Sequence, residues 1–462
     1  MSLFLAYPLN MLEVSLLDTL VLGFCTVLLY KHARLTSAHP GFMYLMFHAF
    51  LFTARLYSVM NGAPTLFTNW PGTLPVSDAE IAHAGLLADA ALVSITIGMI
   101  LCSQRDLRRA TRTFGVSDMQ TAILSEGVIK FVSAVAFPTG IVSLLVNGAV
   151  PNAENMAVDF GEWSTSSWLM ITQFWPVLVL LALVYFYGFR RKLVVMMGIF
   201  LVLMSIQGYD RFRVILPVIF LLITWQTRAG RKWPRKWMVV SLVCLAMLTF
   251  PMKELGRMVR QGRPLSDLVD TASDSFSESL HGESPDQRFL DMFAATMWLV
   301  DESGRHFYGT TVYPLLFLPI PRQLWPDKPD LSNYLTETRD PRRPILWAGM
   351  GGNILGEAYA NFGLIGIVIV PFLLGYWLCK FYFAAMRRPY FSVYRFLYVT
   401  VASCLILVYR DGLNAFVIFP LVNMMPLVAI AVLSYVSFRR KRTWSSLNRP
   451  LVTRGARGIT QA

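Results

Sequence analysis

Long apolar runs separated by polar stretches recur along the chain at roughly 10–30, 41–60, 83–102, 122–147, 167–187, 192–208, 211–227, 237–252, 364–386, 396–409 and 415–437. A bilayer core is crossed by about 20 mostly apolar helical residues, so the pattern predicts eleven spans, with the sixth and seventh closely spaced. One interval, about 253–363, breaks the rhythm of short connections. Its apolar pieces, FLDMFAATMWLV (289–300) and VYPLLFLPI (312–320), are too short to span and read as helices lying in the interface or re-entering from it. TASDSFSESLHGESPDQ (271–287) reads as a mobile polar excursion within that loop. The expected organisation is therefore eight spans over 1–252, a large outward loop over 253–363, three spans over 364–437 and a basic tail over 438–462.

Composition agrees with the pattern and fixes the class. Of 462 residues, 55% are hydrophobic and 15% charged, too apolar a balance for a water-soluble enzyme of this length. The expected fold is an all-α polytopic membrane protein. The first 30 residues hold no Lys or Arg, so they lack the basic start of a cleavable leader and read as a retained helix.

Charge gives the orientation. Lys31 and Arg34, Arg105 to Arg112, Arg190 to Lys192, Arg228 to Lys236, Arg387 to Arg395 and the run Arg439-Arg440-Lys441-Arg442 fall in one set of connections. By the positive-inside rule that set is cytoplasmic. The connections 61–82 and 148–166 have no Lys or Arg and face out with the N-terminus, while the C-terminus stays inside. The net charge of +13 is absorbed by this bias and by anionic lipid, which argues against a nucleic-acid partner. The five cysteines lie in or beside spans and suggest no disulfide framework, and the six histidines show no zinc spacing.

Cations on the outward side stand out against that rule. They are Arg211 and Arg213 in QGYDRFR, Arg257, Arg260 and Arg263 in GRMVRQGRP, Arg322 and Lys328 in FLPIPRQLWPDKPD, and Arg410. Guanidinium groups bind phosphate oxygens in two-pronged fashion and stay charged, so the set predicts a receptor for a phosphate-bearing anion at the lipid surface. Pairing with the loop's own acids, such as Asp210, Asp267 and Asp291, is the competing explanation for any one of them. Pro319, Pro321, Pro326 and Pro329 would hold Arg322 and Lys328 on a stiff backbone. Trp325 either stacks on a sugar ring or anchors that loop among head groups.

PRQLWPDKP (321–329), followed by GEAYANFGLIG (356–366), resembles a motif pair of the oligosaccharide repeat unit polymerases, the O-antigen and exopolysaccharide (Wzy-like) polymerase group of bacterial envelopes. YDRFRVILPVIF (209–220) is similar to the arginine-bearing start of a span in the same group, and the likeness covers roughly 205–366. The resemblance implies a glycosyltransferase of the bacterial inner membrane, and the arginine site predicts activity without a metal; no cofactor is expected. Such an enzyme moves a growing glycan from one undecaprenyl-diphosphate carrier to the non-reducing end of another lipid-linked repeat unit, on the outer leaflet. Its partners would be donor, acceptor and membrane lipid; whether a chain-length regulator binds stays open. The leaving diphosphate suits the arginines.

If GEAYANFGLIG is helical, Glu357 and Asn361 share a face, with Phe362 and Leu364 turned elsewhere. Glu357 is the first candidate for a base or acceptor-positioning group, with a structural clamp as the alternative. Asp327 is the competing base, and Tyr359 and Asn361 join Trp325 as candidate glycan contacts. Asp411 reads as a local partner of Arg410. Among intramembrane charges, Glu126 pairs with Lys130 at helical spacing, Arg55 is expected to pair with Asp89, and Asp18 has no evident partner. Two other functions compete: a different polyprenyl-phosphate glycosyltransferase or O-antigen ligase, faintly suggested by the acidic DAE at 78–80, and a lipid-linked oligosaccharide flippase. Charge gathered at the outer face, with little expected at mid-membrane, weighs against the flippase.

Overall fold

The structure, a computed structural model, describes residues 10–65, 76–109, 121–148, 171–206, 212–236, 288–313, 317, 325 and 353–447. The regular elements among those residues are all helices, with one isolated bridge between Ile123 and Ser392 and no strand among them. In chain order the helices are α1 Met11–His32, α2 Pro40–Met60, α3 Asp78–Arg109, α4 Glu126–Gly148, α5 Trp175–Tyr187 and α6 Arg191–Ile206. They continue with α7 Phe212–Ala229, α8 Phe289–Ser303, α9 Ile354–Met386, α10 Val393–Asp411, α11 Leu413–Ile418 and α12 Met425–Leu447. α2 contains a π-helical turn at Ala49–Thr53, and another at Phe419–Asn423 follows α11.

Six of these helices are long and apolar enough to cross a membrane: α1, α2, most of α3, α4, α9 and α10. A seventh crossing would be the pair Ala415–Asn423 and Met425–Arg442, bent by 76°. The protein is thus a multi-pass membrane protein. Of the other expected spans, Trp175–Tyr187 and Val214–Ala229 are apolar but short, and 237–252 lies outside the described residues. The outward faces suit lipid: Leu20, Phe24, Phe131 and Leu145 are each more than half exposed, as an apolar solvent permits.

Local chemistry starts the helices where they start. Asn10, His39, Asn353 and Ser392 each cap an N-terminus, their side chains accepting from the amides of Leu12, Gly41, Gly356 and Arg395. Pro40 occupies the first turn of α2, where a missing N–H costs nothing.

The central contact is between α3 and α9, which run in the same direction. Ser94 donates to the Val368 carbonyl, and further along the same pair the Cys379 thiol donates to the Met99 carbonyl. Small residues permit the approach: a Cβ on Gly98 would lie 2.2 Å from the Phe372 carbonyl oxygen, and one on Gly375 2.4 Å from that of Ile95.

The basic connections gather at one end of the bundle. There Arg387 pairs with Asp106, Ser37 donates to the Lys232 carbonyl, and Arg395 donates to the carbonyls of Arg388 and Thr227. Tyr185 and Tyr390 stack at 4.5 Å, and each hydroxyl donates to the other residue's carbonyl. The clustering of these loops at one end is what the charge pattern requires of a single membrane face.

Some expectations hold and others are corrected. α9 begins at Ile354, so GEAYANF is helical as its spacing suggested, and the expected start at 364 falls directly after a break at Gly363. Phe289–Ser303 is a helix as expected, and Leu290, Asp291, Phe293 and Ala295 are fully buried because α8 packs against α3 and α9, which its re-entrant reading allows. Arg55 pairs with Asp291 of α8, not with Asp89. Asp18 has a partner after all, His48, which stands between it and Asp89. Charge is therefore present inside the bundle and not only at its outer end. Glu126 and Lys130 do pair, at 2.8 Å.

Candidate functional site

At the end of the bundle away from the basic loops, α9 supplies a side-chain latch. Glu357 and Asn361 lie one turn apart and both are 1% exposed. Thr311, buried in the segment after α8, joins them: its hydroxyl donates to Glu357 Oε1 at 3.1 Å and accepts from Asn361 Nδ2 at 2.8 Å. Glu357 Oε2 accepts from the amide of Leu413 at 2.5 Å, which ties α9 to the turn after α10. Asn361 Oδ1 accepts from the Gly309 amide, and Asn361 Nδ2 also donates to the Glu357 carbonyl.

A break in α9 explains why this segment docks here. Gly363 has φ 59° and ψ −144°, a conformation that a side chain would strain. An α-helix would fill the carbonyls of Ala360 and Asn361 with amides four residues on. With the helix interrupted, those carbonyls accept instead from Phe307 and Tyr308. Tyr308 takes a left-handed φ of 49° to reach that position and leaves its ring 74% exposed. Backbone of this kind persists only where its surroundings over-determine it.

Around the latch, the Tyr359 hydroxyl donates to Asp301 Oδ1 at 2.8 Å, and His306 lies edge-on to Tyr359 and Tyr308. Asn353 caps α9 and donates to the Phe289 carbonyl, joining α9 to α8. Deeper, Arg55 binds Asp291 through two parallel bonds of 2.9 and 2.7 Å, with a third from Arg55 to the Pro64 carbonyl. Both partners are buried, the setting in which a fork-to-carboxylate geometry matters most.

Of the expected site residues, Glu357, Asn361, Tyr359 and Arg410 meet at this end. Arg410 Nε is 2.5 Å from Asp411 Oδ1, as read from their adjacency, and its guanidinium carbon lies 5.8 Å from the Phe289 ring centre. Trp325 is 36% exposed and touches Phe317 edge-on, which in turn touches Tyr313. Arg213 lies in the first turn of α7, where only the backbone is described. Arg211, Arg257, Arg260, Arg263, Arg322, Asp327 and Lys328 lie outside the described residues. Sequence reasoning missed Thr311, Asp301 and the true partner of Arg55, because nothing local to any of them signals a residue far away in the chain.

These features define a class: an all-helical, multi-pass membrane protein whose matching ends of α9 and α10 are locked by a buried carboxylate. Residues 331–441 match the family model described as O-antigen polysaccharide polymerase Wzy, so the resemblance to a Wzy-like family read from the sequence is borne out. The match covers less than half of the chain. It includes GEAYANFGLIG and continues through α9 and α10, but not PRQLWPDKP. No curated protein and no solved structure matches the chain.

Proposed function

We propose that this protein is a lipid-linked glycan polymerase of the bacterial inner membrane. It transfers a growing oligosaccharide from an undecaprenyl-diphosphate carrier to the non-reducing end of another lipid-linked repeat unit, on the periplasmic side. The observation that carries the reading is the family match over 331–441, because that segment contributes Glu357, Tyr359, Asn361 and Arg410, four residues that converge at one end of the bundle. Arg410, with Arg211, Arg213, Arg257, Arg260, Arg263, Arg322 and Lys328, would offset charge growing on the departing diphosphate. Tyr359, Asn361 and Trp325 remain the candidate glycan contacts, with Asn361 acting through the 307–313 segment it holds.

The partners of Glu357 favour the clamp among its three roles. A carboxylate that already accepts from a hydroxyl and an amide, with 1% of its surface open, is poorly placed to receive a substrate proton. Asp327 is then the preferred base. The chemistry proposed needs no metal, and brief exposure to a chelator should leave it intact.

The test is purified protein with undecaprenyl-diphosphate-linked repeat units, scored as a ladder of glycan lengths. A ladder lost in Arg322→Ala and not fully restored by Arg322→Lys supports the reading, since a point charge cannot reproduce the guanidinium fork. A ladder that Arg322→Ala leaves unchanged removes that residue from the diphosphate site. The charged groups inside the bundle favour a second reading, a flippase. It would give no ladder, with the lipid-linked unit crossing proteoliposomes instead.

A further inference from the structure

Three ionisable side chains meet where α1, α2 and α3 pack together, well inside the length of each helix. Asp18, His48 and Asp89 are 0%, 0% and 5% exposed, and each offers a ligand atom within 4.8 Å of the others. His48 Nε2 is 2.8 Å from Asp18 Oδ1 and 3.6 Å from Asp89 Oδ1. Only the first of these contacts is a hydrogen bond. Asp18 Oδ2, His48 Nδ1 and both carboxylate oxygens of Asp89 have no hydrogen-bond partner among the described residues.

A carboxylate without a hydrogen bond at such a buried place is expensive, and among the described residues Asp89 has only its 3.6 Å contact with His48. Asp89 is aimed at His48 all the same. Two carboxylates and a neutral imidazole carry two negative charges, and a divalent cation would bring the set to neutrality. The donors are one imidazole nitrogen and two carboxylate oxygens from three separate helices, a set that suits zinc or a similar borderline cation. The backbone carries a further sign. The π-helical turn Ala49–Thr53 begins directly after His48 and ends at Thr53, whose hydroxyl is buried without a partner; single π turns inside α-helices occur often at functional sites.

We infer that Asp18, His48 and Asp89 form a divalent-metal site of the zinc type, which staples the first three spans together. It lies outside the matched segment 331–441 and is independent of the glycan-transfer reading.

The probe is zinc itself. Full-length protein in detergent is equilibrated with Zn²⁺, freed of excess by gel filtration and analysed by elemental mass spectrometry. About one zinc per chain is expected, as for a site whose ligands are preformed, and it should be lost in both Asp89→Asn and His48→Gln. Zinc bound equally by the wild type and these variants overturns the proposal. If the variants aggregate, Co²⁺ decides on the wild type: the visible bands of a low-coordinate nitrogen–oxygen site support it, and their absence overturns it. A wild type that retains no zinc also overturns it, leaving the three residues as an acid–imidazole–acid cluster that holds a proton.

Discussion

Glu357 carries the sharpest residue-level test because two of its three candidate roles, base and clamp, respond differently to one atom. Replacing the carboxylate by an amide keeps an oxygen for the Leu413 amide and offers an N–H to the Thr311 hydroxyl. Glu357→Gln should therefore lose less than about tenfold in activity, against the 10²–10⁴-fold typical of a missing general base. Glu357→Ala strands both donors in a buried place, at about 1–3 kcal/mol each, and should lower thermal stability as well as activity. Ladder formation and melting temperature, measured together, separate the outcomes. A Gln variant that is folded but inactive would make Glu357 the base. The pairing of Glu357 with Asn361 was legible from their spacing. Thr311, which connects them, was not, since a periodicity argument has no reach across 46 residues. Arg55 shows the same limit: hydropathy gives a side chain's depth, which made Asp89 plausible, but not the direction it points, which selected Asp291.

At the scale of elements, α9 explains both a success and an open question. Its apolar body was plain from the sequence, with the expected start at 364 directly after the break at Gly363, but the sequence left open whether the turns from Ile354 to Phe362 were helical. Glu357 and Asn361 are polar because they bond to the 307–313 segment and to the turn after α10, not to water. The same helix depends on small residues where it crosses α3. A Val at Gly375 would drive its Cβ into the Ile95 backbone, and a helix backbone cannot swing aside as a side chain can. Gly375→Val should destabilise the protein by about 1–3 kcal/mol or more, while Gly198→Ala, where nothing lies within 4 Å, should not. Thermal unfolding in detergent checks the pair, and equal melting temperatures would mean that α3 and α9 do not pack this closely. Elements in the polar interval stay hard to read for a related reason: α8 is too short to span, and only its burial reveals that it belongs inside.

For the whole molecule the decisive property is sidedness. α3 and α9 run in parallel, and both end among the connections that hold Arg105, Arg387 and Arg395. Helices that finish together in a basic cluster must begin together on the other face, where α9 carries Glu357 and the 307–313 segment docks. If the positive-inside rule sets this bundle's orientation, Tyr308 faces the periplasm and Lys441, in the exposed last part of α12, faces the cytoplasm. Single cysteines at these two positions, in a background where the five native cysteines are replaced, test the arrangement. A membrane-impermeant maleimide should label Tyr308→Cys in intact spheroplasts and Lys441→Cys only after permeabilisation. The reverse pattern would put the latch on the cytoplasmic side, away from any outer-leaflet glycan carrier, and the polymerase reading would fall with it. Labelling at both positions in intact spheroplasts would instead mean that the chain crosses an even number of times between them, so the test also constrains how α10, α11 and α12 traverse the bilayer.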